Sequence, residues 1–247
     1  MTLLAALLAP ALAAASLVTQ ANQGPAWPPF RETYLNQAKA AGVRNLWQLD
    51  DTSGTKAVDS IGNFTCWYRG TYTQSQTPLV KDGGFSVTLS GTNSDVSATM
   101  YYWAVSGSAS PWTVEMWWKI SNTAEANMIV FPLPNDMGTC RIETGNLQWS
   151  TNCGGGWTSI TAITPNTTHY TTITRDGSTT WFYLDGECVY TCIADAGPFH
   201  GLDNFGGLIF GTYVTRMVGT IDNLSASDIC MDPLTVRRRY ARGIIGP

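Results

Sequence analysis

The chain has 247 residues, of which 44% are hydrophobic and 13% charged, with a formal net charge of −4 at neutral pH. That length suits one large β domain with a substantial core, since sandwiches run to ~200–250 residues as a single unit. The charged fraction is low against a typical ~25%, so Thr, Ser, Asn and Gly must form much of the surface. The acidic balance argues against nucleic-acid binding, which needs a basic stripe to displace counterions.

Residues 1–18, MTLLAALLAPALAAASLV, are uncharged and rich in Ala and Leu. Arg31 is the first basic side chain, so the positive leader of a secretory signal is missing. The apolar run falls short of the ~20 residues a membrane span needs, and Pro10 interrupts it. The preferred expectation is an apolar arm that orders against other subunits of an assembly or against a second copy. An atypical signal peptide and a mobile tail stand as alternatives. Residues 23–30, QGPAWPPF, read as a proline-rich extended connector. The expected organisation is therefore an arm and connector over 1–28 and a folded domain over 29–247.

The domain opens with a predicted helix over 31–41, RETYLNQAKAA, following Pro28-Pro29 and ending where Gly42 can cap it. From 45 to 228 no long helical period appears, and turn signals recur every ten or so residues, for example at 51–54, 61–63, 81–84 and 144–146. Short strands at that spacing predict an antiparallel sandwich or barrel. The clearest unit is 170–194, YTTITRDGSTTWFYLDGECVYTCIA, three β-rich runs separated by Asp176-Gly177 and Asp185-Gly186. Asp-Gly supplies the positive φ values that tight hairpin turns demand. Asp232-Pro233 then reads as the cap and first position of a terminal helix, LTVRRRYARG.

Cys66, Cys140, Cys153, Cys188, Cys192 and Cys230 show no compact disulfide framework. Cys188 and Cys192 are expected on one face of a strand, ~13 Å apart, too far for a bridge unless the strand bulges. Buried free thiols are the leading reading, with a disulfide as alternative. Zinc is disfavoured, because the chain holds no CxxC and only His169 and His200. The run Arg237-Arg238-Arg239 with Arg242 reads as a solvated helix face or as a patch that docks an acidic neighbour.

Five motifs in order resemble the laminin-G-like jelly-roll domains of the concanavalin A-like lectin/glucanase superfamily. They are LWQLDDTSGTKAVDSIGNFTCWYRGTY (46–72), FSVTLSGTNSDVSA (85–98), WTVEMWWKI (112–120), TRDGSTTWFYLDG (174–186) and GTIDNLSASDICMDPLTVRRRYARG (219–243). The resemblance runs over about 30–243. It implies an all-β, two-sheet antiparallel jelly-roll sandwich with short flanking helices. The lead-in YLNQAKAAGV is similar to that of such domains on tailed-phage minor tail or decoration proteins. That likeness implies a virion protein displaying a lectin-like sandwich for particle stabilisation or host-surface glycan attachment. A secreted or cell-surface lectin is the alternative.

Catalysis is not expected. Glucanases of the superfamily need two carboxylates ~5–10 Å apart on one cleft, and 113–120 carries only Glu115. No GxSxG, HExxH or phosphate-binding loop occurs either. The resemblance does imply a structural calcium against the last strand, carried over to Asp222, with Asp50 beside it if first and last strands pair. Calcium needs six to eight oxygens, so these two would be part of a shell. The alternative is that Asp222 accepts backbone amides at a strand end. Aromatic clusters at 101–103, 117–118 and 181–183 put rings on both sheet faces. Their bland role is core and intramolecular cover, followed by a subunit interface, then a glycan platform of Tyr101, Tyr102, Trp103 and Trp157.

Overall fold

A computed structural model describes residues 33–90, 95–97, 111–121, 139–150, 157–193, 204–205 and 217–246. The expected arm and Cys153 lie outside the described residues. The first described element is helix α1 (Tyr34–Ala40). Thr33 caps it by accepting from the Asn36 amide at 3.2 Å, and Gly42 follows at φ +78°.

Fifteen described strands follow: β1 (Asn45–Trp47), β2 (Lys56–Ala57), β3 (Cys66–Arg69), β4 (Tyr72–Gln76), β5 (Ser86–Ser90), β6 (Asp95–Ser97), β7 (Trp112–Ile120), β8 (Thr139–Glu143), β9 (Asn146–Ser150), β10 (Trp157–Ala162), β11 (His169–Arg175), β12 (Thr179–Leu184), β13 (Glu187–Ile193), β14 (Asn204–Phe205) and β15 (Val218–Ser227). Helix α2 (Pro233–Ile245) closes the domain, with Asp232 Oδ1 accepting from the Leu234 and Thr235 amides at 2.9 and 3.1 Å. The Asp-Pro start reads correctly from sequence because Pro at the first position has no amide to waste.

The large sheet runs β13-β12-β11-β7-β15-β5-β4, with β1 also paired to β15. Two smaller sheets, β10-β9-β8 and β14-β6-β3-β2, form the opposing layer, and the main core between them draws on all three. All described pairings are antiparallel. This is the sandwich expected from the sequence. Asp185 (φ 54°) and Gly186 (φ 84°) join β12 to β13 by a two-residue turn, and Thr144 (φ 48°) and Gly145 (φ 77°) do the same between β8 and β9. A further turn signal, Asp59-Ser60-Ile61-Gly62, works through its carboxylate. Asp59 accepts from the amides of Leu46, Ile61, Gly62 and Phe64 and from the Asn45 side chain.

Strand β7 explains how the layers and helices combine. Val114, Met116, Trp118 and Ile120 face the smaller sheets, whereas Glu115 and Trp117 face α1 and α2. Trp117 is fully buried there, stacked on Tyr240 with ring centroids 5.7 Å apart and donating Nε1 to the Tyr34 hydroxyl at 3.1 Å. Intramolecular cover therefore accounts for the second face of this aromatic pair. Arg239 donates Nε to Glu115 Oε1 at 2.6 Å and Nη2 to Tyr34 at 3.2 Å, and Tyr170 and Ser225 complete the donors on Glu115.

Two expectations need correcting. The basic run is not one solvated face: Arg237 pairs with Glu187 at the surface, but Arg239 and Arg242 are 1% and 2% exposed. Helical geometry turns positions 239 and 242 toward the sheet, where Glu115 neutralises Arg239. Cys188 and Cys192 also fall on opposite faces, because β13 shifts register between the partners of Phe182 and Tyr183. Cys188 is opposite Tyr183 and Cys192 opposite Thr180, three residues apart on β12. Cys66, Cys140, Cys188 and Cys230 are free thiols, and burial pushes Cys140 up to about 12.

Gly243 lies against the six-membered ring of Trp117, and a methyl there would enter the space the ring occupies. Ala for Gly inside a helix ordinarily stabilises by ~0.5–1 kcal/mol. Here the sign reverses: Gly243→Ala is expected to cost ~1–3 kcal/mol by overpacking, read as a lower urea midpoint with unchanged slope.

Candidate functional site

Strand β15 pairs with β7 along its length, but its other edge changes partner. Residues 218–221 pair with β5 and residues 224–226 pair with β1. The expected pairing of first and last strands is present. Between the two partners the register shifts, Asn223 adopts φ 45°, and the edge of the sheet is left open at Asp222. The Asp222 carboxylate fills that gap. Its Oδ2 accepts from the Leu79 and Val80 amides at 2.8 and 3.2 Å, and Oδ1 accepts from Asn223 Nδ2 at 2.8 Å.

Asp50 lies close by, with Oδ1 accepting from the Phe85 amide at 2.6 Å. Asp82, which sequence reading passed over, joins them; Asn223 Nδ2 is 3.5 Å from its Oδ2. Burial pushes the Asp222 carboxyl well above its ordinary range, and the charges of Asp82 and Asp50 push it further against the two amides. Asp50 is raised as well, by burial first and then by Asp82 and Asp51. Asp82 was legible only as a turn residue, since nothing in its neighbours ties it to a strand 140 positions away.

The structure thus brings Asp222 and Asp50 together and gives both backbone amides as partners. The donor set for a cation would be all oxygen, and Asn223 Oδ1 is buried without a hydrogen-bond partner. However, N–H groups already occupy both oxygens of Asp222. Among the described residues no group of three or more His, Cys, Asp or Glu converges to hold a metal. As placed, the residues do not form a metal shell, and the anchoring role is the one the geometry carries directly.

The proposed glycan residues Tyr101, Tyr102 and Trp103 lie outside the described residues. Trp157 opens β10, half-buried, with the Arg141 guanidinium 3.8 Å from its ring centroid. Arg141 is held by Gln148 Oε1 at 2.9 Å and by Glu143, and Gln148 reaches Ser159 at 3.4 Å. The residues between them, Cys140, Ile142, Leu147 and Trp149, point into the core. The outer face of β8–β10 is therefore a fixed polar row with an indole under a cation.

The other small sheet presents a tryptophan that sequence reading did not single out. Trp67 is 39% exposed, whereas Trp47, Trp112, Trp117, Trp118 and Trp149 are at most 2% exposed. Its strand neighbours Cys66 and Tyr68 are buried in the core, so Trp67 and Arg69 face outward, with exposed Lys56 directly across on β2. The signal available in CWYR was alternation alone, which fixes a face but not what covers it.

The Laminin_G_3 family model, described as the concanavalin A-like lectin/glucanases superfamily, matches residues 90–237. The chain belongs to this superfamily. A search of curated protein sequences finds no match. Among solved structures, the chain is similar to Trypanosoma rangeli sialidase in complex with sialic acid, with TM-score 0.62 and 11% identity over 83% of this chain and 33% of that one. It is similar to domain 4 of AbnA, an extracellular arabinanase from Geobacillus stearothermophilus in complex with arabinotriose, with TM-score 0.55 and 16% identity over 81% and 99%. The botulinum neurotoxin serotype D binding domain gives 0.59 and 17% over 83% and 53%. The chain spans about a third of the sialidase, and at these identities the likeness is one of fold.

Asp222 yields a prediction with a definite sign. Its folded carboxyl lies above the ordinary value of 3.8, so the folded state holds the proton more tightly than the unfolded chain. That contribution to stability is complete below the ordinary value and is lost as the pH rises through the folded one. Asp222→Asn, which cannot ionise, should therefore gain stability relative to the parent as the pH rises above the ordinary value of 3.8. Urea midpoints in chelator read this directly, and a variant that loses ground as the pH rises would show that the amide donors outweigh burial.

Proposed function

We propose that this chain is a non-catalytic, glycan-recognising sandwich and that its outer-layer tryptophans carry the recognition. The exposed Trp67, flanked by Lys56 and Arg69, is the observation that carries this reading. An exposed indole gives a sugar ring an apolar face to stack on, while neighbouring long side chains supply hydrogen bonds to its hydroxyls. Similarity to the arabinotriose-bound domain and to a toxin binding domain supports the same class of activity. The disposition of Glu115 supports a binding role over hydrolysis. It faces the helices, fully buried and bound to Arg239, on the side of β7 away from the smaller sheets.

We further propose the virion as the setting, on the particle surface, where the arm of residues 1–28 would contact other subunits. Support comes from the likeness of the α1 lead-in to phage tail and decoration proteins. Mass spectrometry of the mature chain decides between this and a secreted lectin: an intact N-terminus within particles supports the virion, and cleavage near residues 13–21 supports secretion. For binding itself, the parent chain should give positive spots on a glycan array. Trp67→Ala should weaken them by about tenfold or more, as expected for an anchoring aromatic, with the melting temperature unchanged. A blank array for the parent chain removes the glycan reading.

Calcium is a second reading, favoured by the unpartnered Asn223 Oδ1 beside Asp222, Asp82 and Asp50. If the cluster rearranges to take the ion, millimolar calcium should raise the melting temperature over that in chelator, and Asp222→Asn should abolish the increment. An equal melting temperature in both buffers excludes it.

A further inference from the structure

Strand β3 pairs with β2 on one side and with β6 on the other, and Trp67 and Arg69 stand on its outer face. Lys56 is the register partner of Trp67 on β2, the strand that ends this sheet among the described residues. Side chains directly opposed on an antiparallel pair start ~4.5–5.5 Å apart and diagonal ones ~7–8 Å, so the three lie within reach of one sugar ring and its substituents. Among the described residues, none of these three side chains enters a hydrogen bond, an ion pair or a ring contact. Arg44, Arg141 and Arg237, by contrast, each meet a carboxylate. The acids nearest β2 are already engaged: Asp51 accepts from the Tyr68 hydroxyl at 2.9 Å, and Asp59 accepts from the amides of Leu46, Ile61, Gly62 and Phe64. Asp95 is the register partner of Arg69 on β6, on the side of β3 away from Lys56.

We infer that the glycan taken by this face is acidic: a hexuronic acid whose ring stacks on Trp67 and whose carboxylate is held by Lys56 and Arg69. The inference rests on the glycan reading proposed above and adds the class of sugar. A neutral ring leaves both cations with water alone, and two like charges side by side favour an anion between them. An anion without a ring leaves the indole uncovered. In a hexuronic acid the carboxylate is bonded directly to a ring carbon, so it sits at the rim of the stacked ring, beside Lys56. A sulfate ester carries its charge farther out, past the end strand of the sheet. The guanidinium fork of Arg69 also matches the two oxygens of a carboxylate.

The test titrates the full chain in low salt with methyl β-glucuronide and with methyl β-glucoside, which differ only in bearing a carboxylate or a hydroxymethyl group. Tryptophan fluorescence and the Trp67 indole N–H resonance report binding. The glucuronide should bind about tenfold more tightly, and salt at ~1 M, where the screening length is ~3 Å, should erase that preference. Lys56→Gln and Arg69→Gln should each weaken glucuronide binding by about threefold and leave the glucoside unchanged, whereas Trp67→Ala should abolish both. Equal binding of the two glycosides overturns the acidic preference and leaves the glycan reading standing. Tighter binding of a sulfate ester of the same glucoside overturns the carboxylate, and glucuronide binding undiminished in Trp67→Ala overturns the stacked geometry. Binding of neither glycoside overturns the inference as well. The glycan array then separates the two ideas: positives confined to neutral glycans keep the broader reading, and a blank array removes it.

Discussion

A carboxylate with no exposure to solvent, Glu115, joins the sandwich to its helices. Moving such a charge out of water is expensive, and it persists only when surrounded by compensating donors. Here the donors come from three separate parts of the chain, Arg239 on α2, Tyr170 on β11 and Ser225 on β15, and Tyr34 on α1 joins the network by accepting from Arg239. Arg239 also lies 4.6 Å from the Tyr34 ring centroid. Removing any one partner leaves a buried charge or hydroxyl unmet, so the network specifies the docking of both helices more sharply than apolar packing alone. Trp117 beside it supplies that packing, and Gly243 is needed because the indole occupies the space of a side chain.

The break in β15 is the complementary constraint. A last strand that pairs with β5 for half its length and β1 for the other half must leave amides of the adjoining chain without a ladder partner. Asp222 supplies the missing acceptor to Leu79 and Val80. The backbone of Lys81 then donates to Gly243 at 2.8 Å, so the same connection that Asp222 fixes also holds the end of α2. The acidic cluster and the terminal helix are thereby coupled through one short loop. The cost is a carboxyl held against two others, visible in its raised proton affinity.

Much of this frame was legible in the residues because its determinants are local. Asp185-Gly186 needed only its own backbone angles, Asp232-Pro233 only the amides of Leu234 and Thr235, and WTVEMWWKI only alternation along one strand. What escaped was set by distant neighbours. Arg239 and Arg242 look like any charged run until the helix is placed over Glu115. Cys188 and Cys192 share a face in a regular strand and lose it to one bulge. Asp82 reads as a turn residue, and Trp67 reads no differently from Trp117, because alternation assigns a face without saying what lies over it.

That last distinction decides where recognition can occur in this fold. Both faces of β7 are closed, one by the smaller sheets and one by α1 and α2, so its aromatics and its carboxylate are spent on cohesion. Among the described residues no such cover lies over the outer faces of β2–β3 and β8–β10: Trp67 is 39% exposed there, and Arg141 is braced over Trp157 by Gln148 and Glu143. A ligand meeting this domain therefore finds indole and fixed polar groups on the thin layer. On the thick layer the described residues leave a gap between α1 and α2, lined by Ala40, Ala41 and Arg239 among others.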